Sequence, residues 1–469
     1  DESEAKTKDI EIDLDNIHER LEQVTSFAGN EVNPLFSKDG KTIYYSTTGL
    51  GWGRSAKVDK DIFKISWDGK DHKSITSGNS SPGMMVMDAK QEYIYTILKG
   101  GRANRIKLAS DKKEGLPISA SLVVDYKEEL NQIFEEAWTS VNENFYDPNF
   151  HGQSFDQLKE IYKPLALSAS TREDFNVVFN NMLGQLNASH MGLYRGDMRK
   201  DLQKNSTGLI GVEVIPHTNG VEVVGKLPYM PADREISKIE IGEVITAVNG
   251  ISVTADRNFH ELMNHTAKER TLLSVTSKSG VARELEIRPV KRNGDATYKA
   301  WVKEKRALVD EWSNGELGYI HIEAMGWESF ERFERELSAA GYGKKGIVID
   351  VRYNGGGWTT DHLMAVLNVK QHAYTIPRGA TESLDNNASF KEYYPYSERL
   401  PLPAWTKPSI ALCNESSYSK AEIFSHAYKN LDIGTLVGQP TFGAVISTGG
   451  KGLIDGSYVR LPFRAWYAK

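Results

Sequence analysis

The run Asn414-Glu415-Ser416-Ser417-Tyr418-Ser419-Lys420-Ala421-Glu422 holds the residues best placed to do chemistry. It follows the apolar stretch Ile410-Ala411-Leu412-Cys413, so the pattern reads as a buried strand ending in a serine-bearing turn that opens a helix. A serine hydroxyl at such a turn is a candidate nucleophile. The first N–H groups of the helix have no intrahelical acceptor, and they point back at the turn, where they can stabilise an oxyanion. Serine also caps helices for structural reasons alone, so the motif needs support from elsewhere in the chain.

A second segment offers an imidazole. Ser189-His190 falls just past a helical pattern, on a connecting loop from which the ring can reach across a cleft. The structural alternative is a helix-end histidine bonding a carbonyl. His426 lies seven positions after Ser419, about 10 Å along the same helix and beyond direct proton transfer, so it reads as structural. His321 and His362 can line a cleft, but no two histidines have the helical spacing of a metalloprotease, and no metal or other cofactor is expected. A third segment, the apolar strand Gly346 to Val351, ends in Arg352-Tyr353-Asn354-Gly355-Gly356-Gly357. Asp350 and Arg352 at its end read as an internal ion pair that fixes the glycine loop, with substrate binding as the alternative.

The elements that must position these residues show as changes of pattern along the chain. Residues 25 to 110 alternate short β-rich runs with turns, as in Asp39-Gly40 and Asp68-Gly69. A weaker echo near Met87 returns at a propeller-blade interval, so residues 1–115 read as one or two blades, the tail of a longer β-propeller. From Asp125 the period becomes helical: Leu130, Ile133, Phe134, Ala137, Trp138, Val141 and Phe145 share a face, and a second helix starts at a Thr171/Asp174 capping box. Residues 120–200 therefore form a helical subdomain that delivers Ser189-His190. Residues 206–292 read as a β-domain that looks like a PDZ domain. In its opening Gly208-Leu209-Ile210-Gly211, successive N–H groups can cradle a carboxylate while the adjoining strand edge takes up a peptide. Residues 293–469 alternate strand and helix as in a parallel α/β sheet, whose ligands gather at the carboxyl ends of strands; the glycine loop and the Ser419 turn share that rim. The fold class is thus multidomain α/β and β.

Composition narrows the function classes. At 469 residues the chain exceeds a single core, and its net charge of -6 comes from interspersed acids and bases with no long basic run, which argues against nucleic acid as the main partner. The single Cys413 excludes an internal disulfide framework and fits a reducing compartment. No apolar run approaches the roughly 18 residues that span a bilayer, so no membrane partner is expected. The expected location is cytoplasmic, with an exported one as the alternative if a targeting segment precedes Asp1.

Strand-Asp350-Val351-Arg352-Tyr353-Asn354-Gly355-Gly356-Gly357, the Asn414 to Glu422 segment and Thr441-Phe442-Gly443 together resemble the core of the carboxy-terminal processing and tricorn proteases. The order of propeller tail, helical segment, PDZ-like unit and α/β core is similar to the tricorn family over nearly the whole chain. Processing proteases place a lysine base after Thr-Phe-Gly; Ala444 stands there in this chain, which disfavours a Ser-Lys dyad. The resemblance implies Ser419 as nucleophile and His190 as general base, with Ser189 orienting the histidine through a glutamate. It also implies an oxyanion held by the backbone N–H of Lys420 and one from the Gly355-Gly356 loop. The family's glutamate lies farther downstream, and no glutamate follows Glu422; Asp432 and Asp455 match no motif, so the acid is left unassigned and the chain reads as truncated or as having lost that segment. The resemblance further implies a serine peptidase acting on peptides or unfolded chains, and a homo-oligomer whose propellers filter access. A noncatalytic peptide-binding scaffold with a decayed hydrolase core is the rival reading, and a processing protease with another base is a second.

Overall fold

The computed structural model describes residues 12–26, 29–48, 60–119, 121–194, 205–254, 257–370 and 404–467. They fall into two compact units, Asp1–Val124 and Asp125–Lys469.

The first unit holds two four-stranded antiparallel sheets, each following chain order. One is β1 (Asn30–Phe36), β2 (Thr42–Thr48), β3 (Ile62–Ser66) and β4 (Lys73–Ser74); the other is β5 (Met85–Met87), β6 (Tyr93–Leu98), β7 (Arg102–Lys107) and β8 (Lys112–Gly115). Such meanders are the repeating unit of a propeller. The turn glycines Gly40 and Gly69 take φ values of 69° and 79°, which side chains resist. Tyr44, Ile62, Met85, Ile94 and Ile106 form the main core of the unit.

The second unit begins with α1 (Tyr126–Asn144), capped by the Asp125 carboxylate on the amides of Lys127 and Glu128. Leu130, Ile133, Phe134, Ala137 and Val141 are all fully buried, as the helical spacing predicts. α2 (Phe155–Leu167) and α3 (Arg172–Gly184) pack on it, and the Thr171/Asp174 box closes α3 with Asp174 N donating to Thr171 Oγ1 at 3.1 Å. Against these helices lies a three-stranded antiparallel sheet in the order β20 (Ser447–Gly452), β21 (Tyr458–Arg464), β9 (Gly192–Tyr194). Residues more than 250 positions apart thus share one core, with Leu193 and Leu461 beside Phe179 and Leu186.

Between them runs a six-stranded sheet in the order β10 (Val212–His217), β11 (Gly220–Lys226), β12 (Val244–Val248), β14 (Thr271–Thr276), β15 (Ala282–Ile287), with β13 (Ile251–Ser252) hairpinned onto β12 and the short α4 (Phe259–Leu262) alongside in sequence. The β12–β13 turn is Asn249-Gly250, both at positive φ (49° and 77°), the turn whose twist suits a two-residue hairpin. The last layer is a parallel sheet, β16 (Leu317–His321), β17 (Gly346–Asp350), β18 (Ser409–Cys413) and β19 (Thr435–Gly438), with helices α5 (Gly294–Trp312), α6 (Trp327–Gly341), α7 (Thr360–Leu367) and α8 (Lys420–Asn430). Its core centres on Ile349, Ala411, Phe330, Phe333, Phe424 and Tyr428. Among the described residues no helix is long and apolar enough to cross a membrane.

Candidate active site

β17 and β18 are the central strands of the parallel sheet, and the two candidate loops leave their carboxyl ends. At the end of β17 the carboxylate of Asp350, fully buried, accepts the Tyr319 hydroxyl at 2.8 Å and Arg352 Nη2 at 2.6 Å, so the pair is the internal lock the sequence suggested. The bond to Asp350 raises the pKa of the Arg352 guanidinium. His321 serves the same lock: Nε2 meets the Arg352 carbonyl at 2.8 Å and Nδ1 the Tyr298 hydroxyl at 3.0 Å, which places it in structural work.

The two loops are stitched together by buried polar groups. Asn354, fully buried, donates Nδ2 to the Ile322 carbonyl at 2.7 Å and receives Gly356 N–H on Oδ1 at 2.8 Å, while its carbonyl accepts Tyr418 N–H at 2.9 Å. Ser417 Oγ donates to the Val351 carbonyl at 2.8 Å. These bonds bring Gly356 against the serine turn: a Cβ on Gly356 would stand 2.7 Å from Ser419 Cβ and 2.9 Å from Lys420 N, at a φ of +88°. Gly356→Ala is therefore expected to push the turn out of register and to cost about 1–3 kcal/mol of stability. Urea denaturation of the variant measures it.

Ser419 is the N-cap of α8 and sits at φ 57°, ψ -118°, a conformation that costs a non-glycine residue about 1–3 kcal/mol and persists only where the surroundings impose it. Glu422, one turn on and 5% exposed, imposes it. Its carboxylate accepts Ser419 N–H at 2.9 Å and also holds the Thr441 hydroxyl at 2.9 Å, Gly443 N–H at 2.5 Å and Ala444 N–H at 2.9 Å. The N–H of Lys420, first residue of the helix, has no intrahelical acceptor. Among the described residues none accepts the N–H of Gly355, whereas that of Gly356 is committed to Asn354. Among the described residues the amides of the two loops left without an acceptor are thus Lys420 and Gly355, with Gly356 providing clearance.

His190 arrives from the helical layer. Pairing of β9 with β21 (Leu193 with Val459, Gly192 with Arg460) and the bond of Leu193 N–H to Asn180 Oδ1 at 2.7 Å fix the loop before it. At φ 61° His190 turns its ring against Tyr418, centroids 4.6 Å apart, with Nδ1 3.1 Å from the Tyr418 hydroxyl. Nε2 is buried and has no hydrogen-bond partner among the described residues. Burial lowers the pKa of the ring below the usual histidine range, helped by the positive charge of Arg460 and opposed by the Ala444 carbonyl and the Glu422 charge. Neither ring nitrogen is hydrogen-bonded to the Ser419 hydroxyl.

Several expected residues land elsewhere. Ser189 does not bond the imidazole; its hydroxyl donates to the Ala444 carbonyl at 3.2 Å, so it ties the histidine loop to the Thr441–Ala444 segment. Asp432 is exposed, and Asp455 is buried beside Arg172 at 3.5 Å, on the far end of the helical layer's salt-bridge network, so neither orients His190. His426 is exposed and bonds Asn430. His362 lies among Trp327, Phe330 and Trp358, and among the described residues no three metal-ligating side chains gather. Cys413 is buried, with Sγ 3.4 Å from the Gln439 carbonyl.

Beside the six-stranded sheet in sequence, the amides of Gly208 and Leu209 donate to the Met263 and Val290 carbonyls at 2.7 and 2.8 Å, and Ile210 is 3% exposed. Those two N–H groups are spent inside the domain. Gly208 and Gly211 are glycines because a Cβ would meet Thr266 Oγ1 and Met230 Cβ, each at 2.1 Å. β10 and β15 end the sheet order.

Sequence reasoning missed Tyr418, Asn354 and Arg460 as neighbours of the site. It also gave no role to Glu422, although a Ser-x-x-Glu spacing at a helix start announces reciprocal capping.

Comparison with known proteins agrees with this fold. Residues 316–469 match the pattern of Peptidase family S41, and residues 126–184 that of the Tricorn protease C1 domain. The chain is 26% identical to the Tricorn protease of Thermoplasma volcanium over 88% of its own length and 38% of that protein. It is 24% identical to a Tricorn protease homolog of Saccharolobus solfataricus over 98% of its length and 42% of that protein. A Carboxyl-terminal-processing protease of Synechocystis is 23% identical over 70% of the chain. The fold superposes on the crystal structure of the tricorn protease with a TM-score of 0.76 at 22% identity, covering 94% of this chain and 42% of that one. The chain thus spans about two fifths of the length of the tricorn relatives it matches. From its helical layer to its α/β core, the chain resembles the tricorn protease family and, more distantly, the carboxyl-terminal-processing proteases.

Proposed function

We propose that this chain carries the catalytic machinery of a tricorn-type serine peptidase that cleaves peptides or unfolded polypeptides through an acyl-enzyme. The observation that supports it most is the convergence of the Ser189-His190 loop on the serine turn, with the imidazole packed on Tyr418, the residue before Ser419. Ser419 Oγ attacks the scissile carbonyl while His190 Nε2 takes its proton. The Oγ–C bond forms as the carbonyl π pair moves to oxygen, where the Lys420 and Gly355 amides receive it. Collapse breaks the C–N bond, and the imidazolium returns the proton to the leaving amine. Water then repeats the sequence on the acyl-enzyme and frees Ser419. The unpartnered Nε2, not bonded to the Ser419 hydroxyl, is compatible with this route, because catalytic hydrogen bonds often tighten only when substrate is bound.

The β10 edge offers a place for an extended chain to add a strand, which would present substrate to the rim; peptide pairing there depends on main-chain bonds rather than on the Gly208-Leu209 amides. Assembly as a homo-oligomer with the propeller-like unit as a filter belongs to the same reading.

The test is reaction of Ser419 with a fluorophosphonate probe, located by mass spectrometry. Labelling that vanishes in His190→Ala is expected; labelling absent from the wild-type chain, or unchanged without His190, would leave the scaffold or another base in its place. A pH profile gives a second check. The base acts when neutral, and burial lowers its pKa, so the acid limb of kcat/KM is expected below the ordinary histidine value of about 6.5.

A further inference from the structure

We propose that Tyr418 is the positioning residue of the imidazole: its hydroxyl oxygen accepts the Nδ1 proton of His190 and thereby leaves Nε2 as the bare nitrogen beside the serine turn. The inference rests on the peptidase reading above and deepens it by naming what fixes the ring.

Ser189, the neighbouring hydroxyl, is engaged with the Ala444 carbonyl and does not touch the ring. Tyr418 does, by its hydroxyl at 3.1 Å from Nδ1 and by its ring at 4.6 Å between centroids. Tyr418 is itself held on three sides. Its N–H donates to the Asn354 carbonyl at 2.9 Å, Phe442 packs edge-on at 4.9 Å, and the next residue is Ser419. One rigid turn therefore carries both the nucleophile and the group that aims its base, so that a shift of the turn moves the two together.

The direction of the bond follows from the other nitrogen. If the phenol donated to Nδ1, the neutral ring would carry its proton on Nε2, a buried N–H with no acceptor among the described residues, and orphaned donors of that kind are rare in folded proteins. With the proton on Nδ1, Nε2 holds a lone pair, the state a general base requires. Burial also raises the pKa of the Tyr418 phenol, so it stays neutral while histidine titrates. The charged groups that face the ring are Arg460 on β21 and Glu422 on α8, of opposite sign. Neither is hydrogen-bonded to it; the Ala444 carbonyl is the backbone group that faces the ring, and Tyr418 is the side chain bonded to it.

Tyr418→Phe in the full 469-residue chain removes one oxygen and keeps the ring contacts. The first readout is the ¹⁵N spectrum of histidine-labelled chain, with the His190 signals assigned by their loss in His190→Ala. The wild-type ring is expected as the Nδ1–H tautomer, and the Phe variant as a mixture of the two tautomers. The second is the fluorophosphonate labelling rate, expected to fall about tenfold with an unchanged melting temperature. Its acid limb should move to lower pH, because the imidazolium loses an acceptor that stabilises its charge. An Nδ1–H tautomer and a labelling profile that survive in Tyr418→Phe would overturn the proposal. The two readings fail separately: a wild-type chain inert at Ser419 sinks the peptidase reading, whereas the tautomer needs no turnover to be read.

Discussion

Ser419→Ala is expected to lower kcat/KM for peptide hydrolysis by about 10⁴- to 10⁶-fold and to abolish fluorophosphonate labelling. His190→Ala should cost nearly as much, and the double variant little more than either. The reason is that in the proposed mechanism the two side chains act on one proton. Without the alcohol no acyl-enzyme forms; without the imidazole the alcohol is too weak an acid to attack an amide at neutral pH. Residual rate would come from the Lys420 and Gly355 amides, which still polarise a bound carbonyl for attack by water. Melting temperatures of wild type and Ser419→Ala separate this loss from the smaller effect, about 1 kcal/mol, of removing an N-cap side chain from a turn whose amide Glu422 still holds. Additive losses in the double variant would mean that the two groups serve separate steps, and the mechanism would be wrong.

The second large effect falls on Glu422. Its carboxylate joins three elements: the Ser419 amide at the start of α8, the Thr441 hydroxyl, and the Gly443 and Ala444 amides of the segment that also receives Ser189. Truncation to alanine strands several donors in a buried site, each costing about 1–3 kcal/mol where water cannot replace the lost partner. With partial rescue by water, a net loss near 3 kcal/mol in urea denaturation is expected for Glu422→Ala. Labelling at Ser419 should fall about 1,000-fold as well, because the strained φ of Ser419 loses its main constraint and the Ala444 carbonyl near His190 drifts. Glu422→Gln keeps an acceptor oxygen but sets an amide donor against amide donors, so it should lie between wild type and alanine on both measures. A Glu422→Ala chain of wild-type stability and reactivity would show that helix packing alone shapes the turn.

Much of this architecture is legible in local pattern. The helical face of α1, the Thr171/Asp174 cap, the Asn249-Gly250 hairpin and the strands ending at Asp350 and Cys413 all follow from periodicity and turn chemistry, which act over a few residues. α2 and the β20–β21–β9 sheet do not. β20 is Ser447-Thr448-Gly449-Gly450-Lys451-Gly452, with three glycines and no apolar alternation, and it becomes a strand because β21 pairs with it. The Gly208 to Gly211 segment shows the opposite failure. Its glycines suggest an open amide cradle, yet they are there to let Thr266 and Met230 approach, and that is a matter of packing.

The sequence by itself determined the candidate nucleophile, its helix N-terminus and the glycine loop on the same rim, because strand, turn and helix are written in neighbouring residues. Only the tertiary structure decided what surrounds the imidazole. His190 meets Tyr418 across 228 positions, Ser189 turns to Ala444 rather than to the ring, and Gly356 spends its amide on Asn354 and so serves by its missing side chain. Those outcomes depend on the pairing of β9 with β21 and on two loops stitched through buried Asn354, contacts made between distant segments that no local propensity encodes.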